Sequence, residues 1–578
     1  MAAKSDLLPN DRSTGMALLD ALEDAGVEYI FANFGSDHSS IIESLAQARH
    51  ERRELPKVIT CPHEMVAMSA AHGYAQVTGR AQAVFVHVEC GTQSLAGAVH
   101  NAAKGRVPVF VFAGASPFTQ RGELKGSRSE FIQWIQDVHD QRGIVRGYMR
   151  YDNELRSGAN VRQIVFRAMQ FAHSDPKGPV YLVGPREVME SDAPSNAQDA
   201  TTWHALEPRA LAPQAAHELA QALDASRAPL IVTSYLGRHP AAVGLLLRLC
   251  ERIGAGVLES VPSAMNFPHD NPLYLGNQWN EKRQNEALAE ADLVLVIDSD
   301  VPWIPLVNAP RPDAAIYHID VDPLKEQMPL WDIPARRQFA ADAATALSQI
   351  LAALDDIAAG ASRAESRRAF WSGLSRKRRE ALDRLETHSG KLTPEVLTAA
   401  VRERLKDDVI VLSEGVTNFH IIANHLRPTR PGSLFTSGGG SLGWTGGAAV
   451  GAKLAAPDKT VAVLVGDGSY MFSVPSTVHW MARRYEAPFL TVIYNNGGWN
   501  APRFSTLGVH PGGFASRESD LDLSFAPQPD YSGIAAAAGG ALPIVVNDAG
   551  GLSHALDRAF HAVQVEKRCA VIDARLAS

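Results

Sequence analysis

The last third of the chain contains Val461-Ala-Val-Leu-Val-Gly466-Asp467-Gly468-Ser469, which is followed by Pro488-Phe-Leu-Thr-Val-Ile-Tyr-Asn495-Asn496. Each apolar run has the length of a strand and ends in oxygen-bearing side chains, so both ends are expected at the carboxyl edge of one parallel sheet. Mg²⁺ prefers oxygen ligands and keeps some coordination for a phosphate, and the glycines let the backbone turn close to that phosphate. The pattern predicts a site for a metal and a phosphate, whereas Gly-Asp-Gly alone is more often a simple turn.

Length and composition limit the class of protein. The 578 residues predict about three domains of roughly 150 to 200 residues each. The net charge of -8, with scattered basic residues, argues against nucleic acid as a partner. No apolar run is as long as a membrane span, and the first residues lack the apolar block of a signal peptide, so we expect a soluble cytoplasmic protein. The four cysteines form no metal-binding pair, which predicts buried thiols.

Apolar runs of strand length alternate with helical patterns along most of the chain. This alternation predicts the α/β class, with three doubly wound parallel-sheet domains. The run from Ala83 to Val88 is interpreted as a strand, and Thr393 is expected to cap a helix that begins at Pro394. The charged segment Ser362 to His388 predicts a solvated connecting helix, with an anion site as the alternative. The expected boundaries are 1–189, 213–354 and 392–578 for the domains, and 190–212 and 355–391 for the linkers.

Three α/β blocks with the metal motif in the last resemble the thiamine diphosphate (ThDP) enzymes of the superfamily that includes acetolactate synthase, pyruvate oxidase, benzoylformate decarboxylase and 2-hydroxyacyl-CoA lyase. The resemblance implies that the first block binds the aminopyrimidine of ThDP, that the middle block is a support domain, and that the third binds the diphosphate and Mg²⁺. It also implies a homodimer or homotetramer with active sites at the subunit interface.

Glu64 follows Cys61-Pro-His at the start of a predicted helix. Taken alone, a glutamate in a first helical turn is more often structural. By resemblance, Glu64 is the glutamate that hydrogen-bonds the pyrimidine N1′ and favours the imino tautomer, whose exocyclic nitrogen removes the thiazolium C2 proton.

Other segments are expected to bind the cofactor. The glycine-rich loop from Ser437 to Trp444 is expected beside ThDP, where Leu442 is either the apolar wedge between the two rings or a plain core leucine. The polar tip Ser413–Asn418 follows an apolar run and is expected to contact the diphosphate. The resemblance assigns the metal to Asp467, Asn496 and the Gly498 carbonyl, and further cofactor contacts to Thr417, Asn418, Gly440, Gly466, Gly468 and Ser469.

His87 is the best indication of reaction type. It stands four residues before Gly91-Thr92, as the catalytic histidine does in benzoylformate decarboxylase, whereas acetolactate synthases have Ser-Gly-Pro-Gly-Ala-Thr in this loop. Histidine titrates near neutral pH and can transfer protons. A lone histidine at the end of a buried strand is otherwise more often a core residue.

A second loop, Asn33-Phe-Gly-Ser-Asp-His38, follows the first predicted strand. By resemblance, Ser36 matches the active-site serine of benzoylformate decarboxylase, and His38 lies near enough to contribute. Asp37 is either part of this site or a helix cap. A glutamine that lines the site in acetolactate synthases corresponds to Gln133 or Gln136.

The sequence therefore predicts a ThDP- and Mg²⁺-dependent lyase or carboligase that acts on a 2-oxo acid. A 2-hydroxyacyl-CoA lyase or an oxalyl-CoA decarboxylase, with an acyl-CoA substrate, is the alternative, because Ser413-Glu-Gly415 resembles their third block. FAD is not expected, since the middle block lacks the Gly-Met-His-Gly-Thr pattern of pyruvate oxidase. A catalytically silent binding or regulatory protein of the same fold is a further alternative, although it would not need Glu64, Asp467 and Asn496 together.

Overall fold

The computed structural model describes residues 12–194, 199–280, 283–357, 361–387, 390–406 and 408–577. Three six-stranded sheets form its framework, and every pair of neighbouring strands in them is parallel. The predicted fold class, α/β with three parallel-sheet domains, is confirmed. Within the described part of the chain, no helix is both long enough and apolar enough to cross a membrane.

The first sheet has the strand order β2-β1-β3-β4-β6-β5. Strand β3 and the start of β4 are completely buried and rich in valine and phenylalanine, as expected for strands covered on both faces. The predicted strand from Ala83 ends at Val86 and not at Val88, because Val88 already begins a helix. The strands are β1 Tyr29–Ala32, β2 Lys57–Thr60, β3 Ala83–Val86, β4 Phe110–Ala115, β5 Tyr151–Glu154 and β6 Val180–Pro185. The helices are α1 Thr14–Asp24, α2 Ser39–Glu51, α3 Glu64–Thr78, α4 Val88–Lys104, α5 Ile132–Ile135, α6 Val161–His173 and α7 Arg186–Glu190.

The middle sheet has the order β12-β11-β10-β7-β8-β9. If β7 is counted as strand 1 and the sheet is read from β9 to β12, this is the 3-2-1-4-5-6 order of doubly wound dinucleotide-binding folds. The predicted connecting helix is present as α12; residues 358–360 and His388 lie outside the described residues. The strands are β7 Pro229–Thr233, β8 Gly256–Ser260, β9 Tyr274–Gln278, β10 Leu293–Ile297, β11 Ala315–Asp320 and β12 Arg337–Ala340. The helices are α8 Pro213–Ala225, α9 Pro240–Ile253, α10 Glu286–Glu290, α11 Ala343–Asp355 and α12 Ala361–Glu386.

The third sheet has the order β14-β13-β15-β16-β18-β17, which repeats the topology of the first. Its first helix begins at Pro394 as predicted, with Thr393 Oγ1 accepting a 3.3 Å hydrogen bond from the Val396 N–H. The strands are β13 Val409–Glu414, β14 Leu434–Phe435, β15 Thr460–Gly466, β16 Leu490–Asn495, β17 Leu542–Val546 and β18 Ala570–Arg575. The helices are α13 Pro394–Arg402, α14 Phe419–Leu426, α15 Trp444–Ala455, α16 Asp467–Phe472, α17 Pro475–Arg484, α18 Asn500–Val509, α19 Tyr531–Gly539 and α20 Leu552–Gln564.

The shared topology fixes where sites can form. In the first sheet β1 lies beside β3, and in the third sheet β13 lies beside β15. At such a switch point the connections leave in opposite directions, and ligands bind in the crevice at the carboxyl ends of the strands. The loops at Asn33 and His87 follow β1 and β3, and those at Thr417 and Asp467 follow β13 and β15. The sequence motifs therefore stand at the two switch points.

Contacts divide the chain into two compact units. The first comprises the described residues up to Leu206 together with 437–457 and 471–488, and the second comprises the rest. Helices α15 and α17 thus belong to the first unit. There α15 packs closely on α3, because Gly447 and Gly451 have no side chains where the backbone carbonyls of Val66 and Ala70 approach.

Candidate active site

Glu64 is the first residue of α3 and is half-buried. Its Oε1 accepts a 2.7 Å hydrogen bond from Nδ2 of Asn33, the residue that follows β1. A Cβ on Gly91, in the first turn of α4, would lie 3.3 Å from the same oxygen. The start of α3 favours a carboxylate, and a small residue opposite keeps space around it. Glu64 is thus held in one orientation at the carboxyl edge of the first sheet.

His87 precedes α4 at the end of β3, and its side chain is 23% exposed. Its Nδ1 lies 2.5 Å from Oδ1 of Asp37, a buried residue after β1. This hydrogen bond raises the pKa of His87, although burial opposes the change. Burial in turn favours a higher pKa for Asp37, but His38 and His87 outweigh it and bring the pKa of Asp37 below its usual range. The two residues form a charge-assisted pair.

Ser36 and His38, which belong to the same loop as Asp37, differ in their exposure to solvent. Ser36 is half-buried, and its carbonyl accepts a 3.4 Å hydrogen bond from Arg186. His38 is fully buried against Phe34, Phe85 and Phe112, with its Nδ1 2.9 Å from Asp37 Oδ1. His38 is therefore enclosed, whereas His87 is partly exposed, although both contact the same oxygen of Asp37.

Asp37 does not cap the helix that follows it, which was one sequence interpretation. Its Oδ2 instead accepts a 3.1 Å hydrogen bond from the N–H of Val88, the first residue of α4. Val88 has φ +32°, a conformation rare for a β-branched residue. Strained backbone of this kind concentrates at functional sites.

Of the two candidate glutamines, Gln136 is the one beside His87. It lies close enough to His87 to raise the pKa of that histidine, and its Nε2 lies 3.6 Å from Cys90 Sγ. Gln133 uses its Oε1 locally, accepting the N–H of Ser129 at 2.8 Å.

Cys90 is exposed, which corrects the prediction of a buried thiol at this position; the other three cysteines are buried.

In the second unit, Asp467 begins α16 at the end of β15, and it is buried. Its carboxylate accepts 2.9 Å hydrogen bonds from the N–H groups of Gly468 and Gly497. Burial nevertheless raises the pKa of Asp467 to about 6. A bound cation stabilises the charged form of a buried carboxylate whose pKa is raised in this way.

The two asparagines at the end of β16 have different surroundings. Both polar atoms of the Asn495 side chain have hydrogen-bond partners. Its Nδ2 donates at 2.8 Å to both Gln528 and Asp573, and its Oδ1 accepts from the Gly497 N–H. Asn496 donates to Thr417 Oγ1 at 3.1 Å, but its buried Oδ1 has no hydrogen-bond partner. Such an unpaired buried oxygen calls for a ligand or an ion. Asp467 and Asn496 thus offer oxygens of the type that Mg²⁺ takes.

Glycines shape the rest of this edge. A Cβ on Gly468 would overlap the ring of Trp499. Gly498 has φ +152°, which favours glycine, and its carbonyl accepts a 3.1 Å hydrogen bond from the Asn500 N–H. Gly466 has open space around its Cα, as a close phosphate requires.

The loop with Gly440 and Leu442 lies in the first unit. Ser441 exchanges backbone hydrogen bonds of 2.8 and 3.0 Å with the side chain of Asn101 on α4, and Leu442 is half-buried. The ring of Trp444 lies 5.4 Å from that of His72 on α3. At 1.5 Å per residue, His72 lies about 12 Å from Glu64 along the axis of α3. The contact between Trp444 and His72 is therefore about two helical turns from the start of α3.

Sequence profiles of one family match three segments of the chain. Residues 12–144 match the "Thiamine pyrophosphate enzyme, N-terminal TPP binding domain", 216–350 the central domain and 415–574 the C-terminal TPP binding domain of the same family. Together these segments cover about three quarters of the chain.

Individual proteins agree with this result. The chain is 26% identical to the probable 2-ketoarginine decarboxylase of Pseudomonas aeruginosa (88% of this chain, 87% of that protein). It is 25% identical to benzoylformate decarboxylase of the same organism (84% and 87%) and to the acetolactate synthase large subunit of Lactococcus lactis (81% and 78%). In fold it is similar to the ThDP-dependent 4-hydroxybenzoylformate decarboxylase of Rhodococcus jostii, with a TM-score of 0.76 and 21% identity over 98% of this chain and 99% of that one.

Proposed function

The chain belongs to the thiamine pyrophosphate enzyme family, and from this membership we propose that it is a ThDP- and Mg²⁺-dependent enzyme that decarboxylates a 2-oxo acid, with carboligation as a further outcome of the same chemistry. The observation that carries the proposal is the pairing of two features: Glu64 held by Asn33 at one switch point, and Asp467 with the unpaired Asn496 oxygen at the other. A protein without catalysis would not need both.

The residues present fit the cofactor. Asp467, Asn496 and the Gly498 carbonyl would hold Mg²⁺, while Thr417, Asn418, Gly466, Gly468 and Ser469 would surround the diphosphate. Asn418 supports this placement, because its buried Nδ2 has no hydrogen-bond partner. When bound, ThDP supplies the electron sink that allows carbon dioxide to leave from a 2-oxo acid. Glu64 would bind the aminopyrimidine and control its protonation.

His87 and Ser36 favour decarboxylation as the main outcome. His87 is partly exposed beside the Glu64 edge of the first sheet and carries a raised pKa, so it can give a proton near neutral pH. Ser36 stands on the adjacent loop, where its hydroxyl would bind the substrate carboxylate. His38 is fully buried, so we assign it a role through Asp37 rather than contact with substrate.

We also propose that two protomers complete each active site. Within one chain, the loop of Gly440 and Leu442 is held on α4 at Asn101, whereas Glu64 stands at the start of α3. A second protomer in a homodimer or homotetramer would bring its own loop to this Glu64.

The test is product formation from a panel of 2-oxo acids. Purified protein is incubated with ThDP and Mg²⁺ and with 2-oxo-5-guanidinopentanoate, benzoylformate or short aliphatic 2-oxo acids, with and without an aldehyde acceptor. We expect carbon dioxide and an aldehyde or hydroxyketone, with loss of activity when ThDP or Mg²⁺ is omitted. An acyl-CoA arm tests the lyase alternative. Cofactor binding without turnover of any member would contradict the proposal and favour the catalytically silent alternative.

A further inference from the structure

The side chains of two histidines contact the carboxylate of Asp37. Its Oδ1 lies 2.5 Å from His87 Nδ1 and 2.9 Å from His38 Nδ1, and its Oδ2 accepts the Val88 N–H. His38 Nδ1 also accepts a 3.1 Å hydrogen bond from the Gly35 N–H. Of the two histidines, His87 therefore donates Nδ1–H to Asp37, whereas His38 Nδ1 is a close contact of the same carboxylate. The Nε2 of His38 is left buried without a partner.

Two glycines make this arrangement possible. A Cβ on Gly114, at the end of β4, would overlap the Asp37 carboxylate, and a Cβ on Gly35 would overlap the His87 ring. The strand ends are thus built closely around the Asp37–His87 pair. Since Nδ1 of His87 is occupied, Nε2 is the nitrogen left to meet Gln136 or a substrate.

We propose that Asp37 is a positioning residue that fixes the tautomer and orientation of His87, so that Nε2 is presented for proton transfer. This inference rests on the proposed function and deepens it. In the step concerned, the Nε2–H bond of His87 breaks and a C–H bond forms at the carbon that lost carbon dioxide. His87 becomes neutral and regains its proton from solvent. Asp37 keeps its negative charge throughout and stabilises the protonated imidazole.

His38 is expected to reduce the effect of Asp37 on the basicity of His87. Because His38 Nδ1 lies 2.9 Å from the Asp37 oxygen that binds His87, the two histidines compete for the negative charge of that oxygen. His38 is therefore expected to lower the basicity of His87, whereas Asp37 raises it. The titratable groups that face this cluster are Asp37 and His38 from the loop after β1, Glu64 from α3, Cys90 from α4 and Tyr181 from β6.

The experiment measures the protonation of His87 directly. Diethyl pyrocarbonate acylates neutral imidazole, and peptide mass spectrometry gives the rate at His87 as a function of pH. The midpoint is the pH at which acylation of His87 reaches half of its maximal rate. In Asp37→Asn we expect this midpoint to move to lower pH by about one pH unit or more. In His38→Phe, which keeps an aromatic ring among Phe34, Phe85 and Phe112, we expect the midpoint to move to higher pH. Asp137→Asn, an exposed acid paired with Arg128, is the matched control, and exposed His139 is the internal standard.

Unchanged midpoints in both variants, or shifts of the same sign, would overturn the proposal. If Asp37→Asn fails to fold, His38→Phe alone decides by the sign of its shift. The acylation assay needs neither substrate nor ThDP, so it remains valid if the proposed reaction is wrong. For an active enzyme, we also expect kcat of Asp37→Asn to fall by about 10²-fold, with its pH profile displaced in the same direction as the acylation midpoint.

Discussion

Asn33 donates a 2.7 Å hydrogen bond to Glu64, and so the end of β1 fixes the side chain that begins α3. The donor and the carboxylate are 31 residues apart and belong to different elements. A glutamate that served only the helix N-terminus would not need this partner. The contact orients one oxygen of Glu64 and leaves the other available for a ring nitrogen.

Glu64→Gln is expected to abolish most of the activity while leaving the cofactor bound. The amide keeps the size of the side chain but cannot hold or exchange the same proton, so kcat should fall by about 10² to 10⁴-fold. Decarboxylation rates and calorimetric titration with ThDP measure the two effects. Glu154→Gln, on edge strand β5, is the control and should match the parent protein. Near-normal turnover by Glu64→Gln would exclude the assigned role.

The two neighbouring asparagines are expected to separate metal binding from stability. Asn496→Ala removes an unpaired oxygen, so it should weaken Mg²⁺-dependent ThDP binding at least about tenfold with little change in the free energy of unfolding. Asn495→Ala removes the donor to buried Asp573 and to exposed Gln528, and the loss at Asp573 should cost about 1 to 3 kcal/mol of stability. Urea unfolding and cofactor titration of both variants provide the comparison. The reverse pattern would show that Asn495 is the metal ligand.

Much of this arrangement could be predicted because it depends on local pattern. The apolar runs, the Thr393-Pro394 helix start and the strand-end motifs each lie within a few residues. Strand β5 was missed because Tyr-Asp-Asn-Glu is polar and half-buried at the edge of its sheet. Strand β14 has only two residues, too few to show a period.

The role of Asp37 could not be predicted, since it depends on a contact 50 residues away in sequence. Ser-Asp-His before a helical pattern is equally consistent with a cap. The end of β3 was misjudged for the same reason: Asp37 binds the Val88 N–H and starts α4 within what looked like a continuous apolar run. Long-range polar contacts decided both outcomes.

Gly35→Ala is expected to damage the His87 site without disturbing other regions. The added Cβ overlaps the His87 ring, so the ring must shift, and we expect a loss of about 1 to 3 kcal/mol in stability together with reduced kcat. Gly147→Ala is the matched control, because nothing lies within 4 Å of its added Cβ. Unfolding curves and turnover rates test both. Unaltered activity in Gly35→Ala would mean that the ring position is not critical.

Acid sensitivity is expected from His72, which is fully buried on α3 without a hydrogen-bond partner. Burial lowers the pKa of His72 to about 3. Below pH 6.5 the unfolded chain binds a proton that the folded protein does not, so stability should fall by up to about 1.4 kcal/mol per pH unit as the pH decreases toward the folded value.

His72→Leu should therefore lose less stability than the parent between pH 7 and pH 5 in urea unfolding. His139→Leu, which replaces an exposed histidine, controls for the change in composition. Parallel pH dependence in the parent and in His72→Leu would remove His72 as the cause.

We propose that Glu64 of one protomer and Asp467 of another serve the same cofactor. The most direct test is a hybrid of Glu64→Gln and Asp467→Ala chains, co-expressed with two different tags and purified through both. Each parent variant alone should be nearly inactive. If sites form between protomers, one site of each hybrid dimer carries both substitutions and the other carries none, so activity should return to about half of the wild-type value. Hybrids no more active than their parents would show that Glu64 and Asp467 act within one chain, and would contradict the claim.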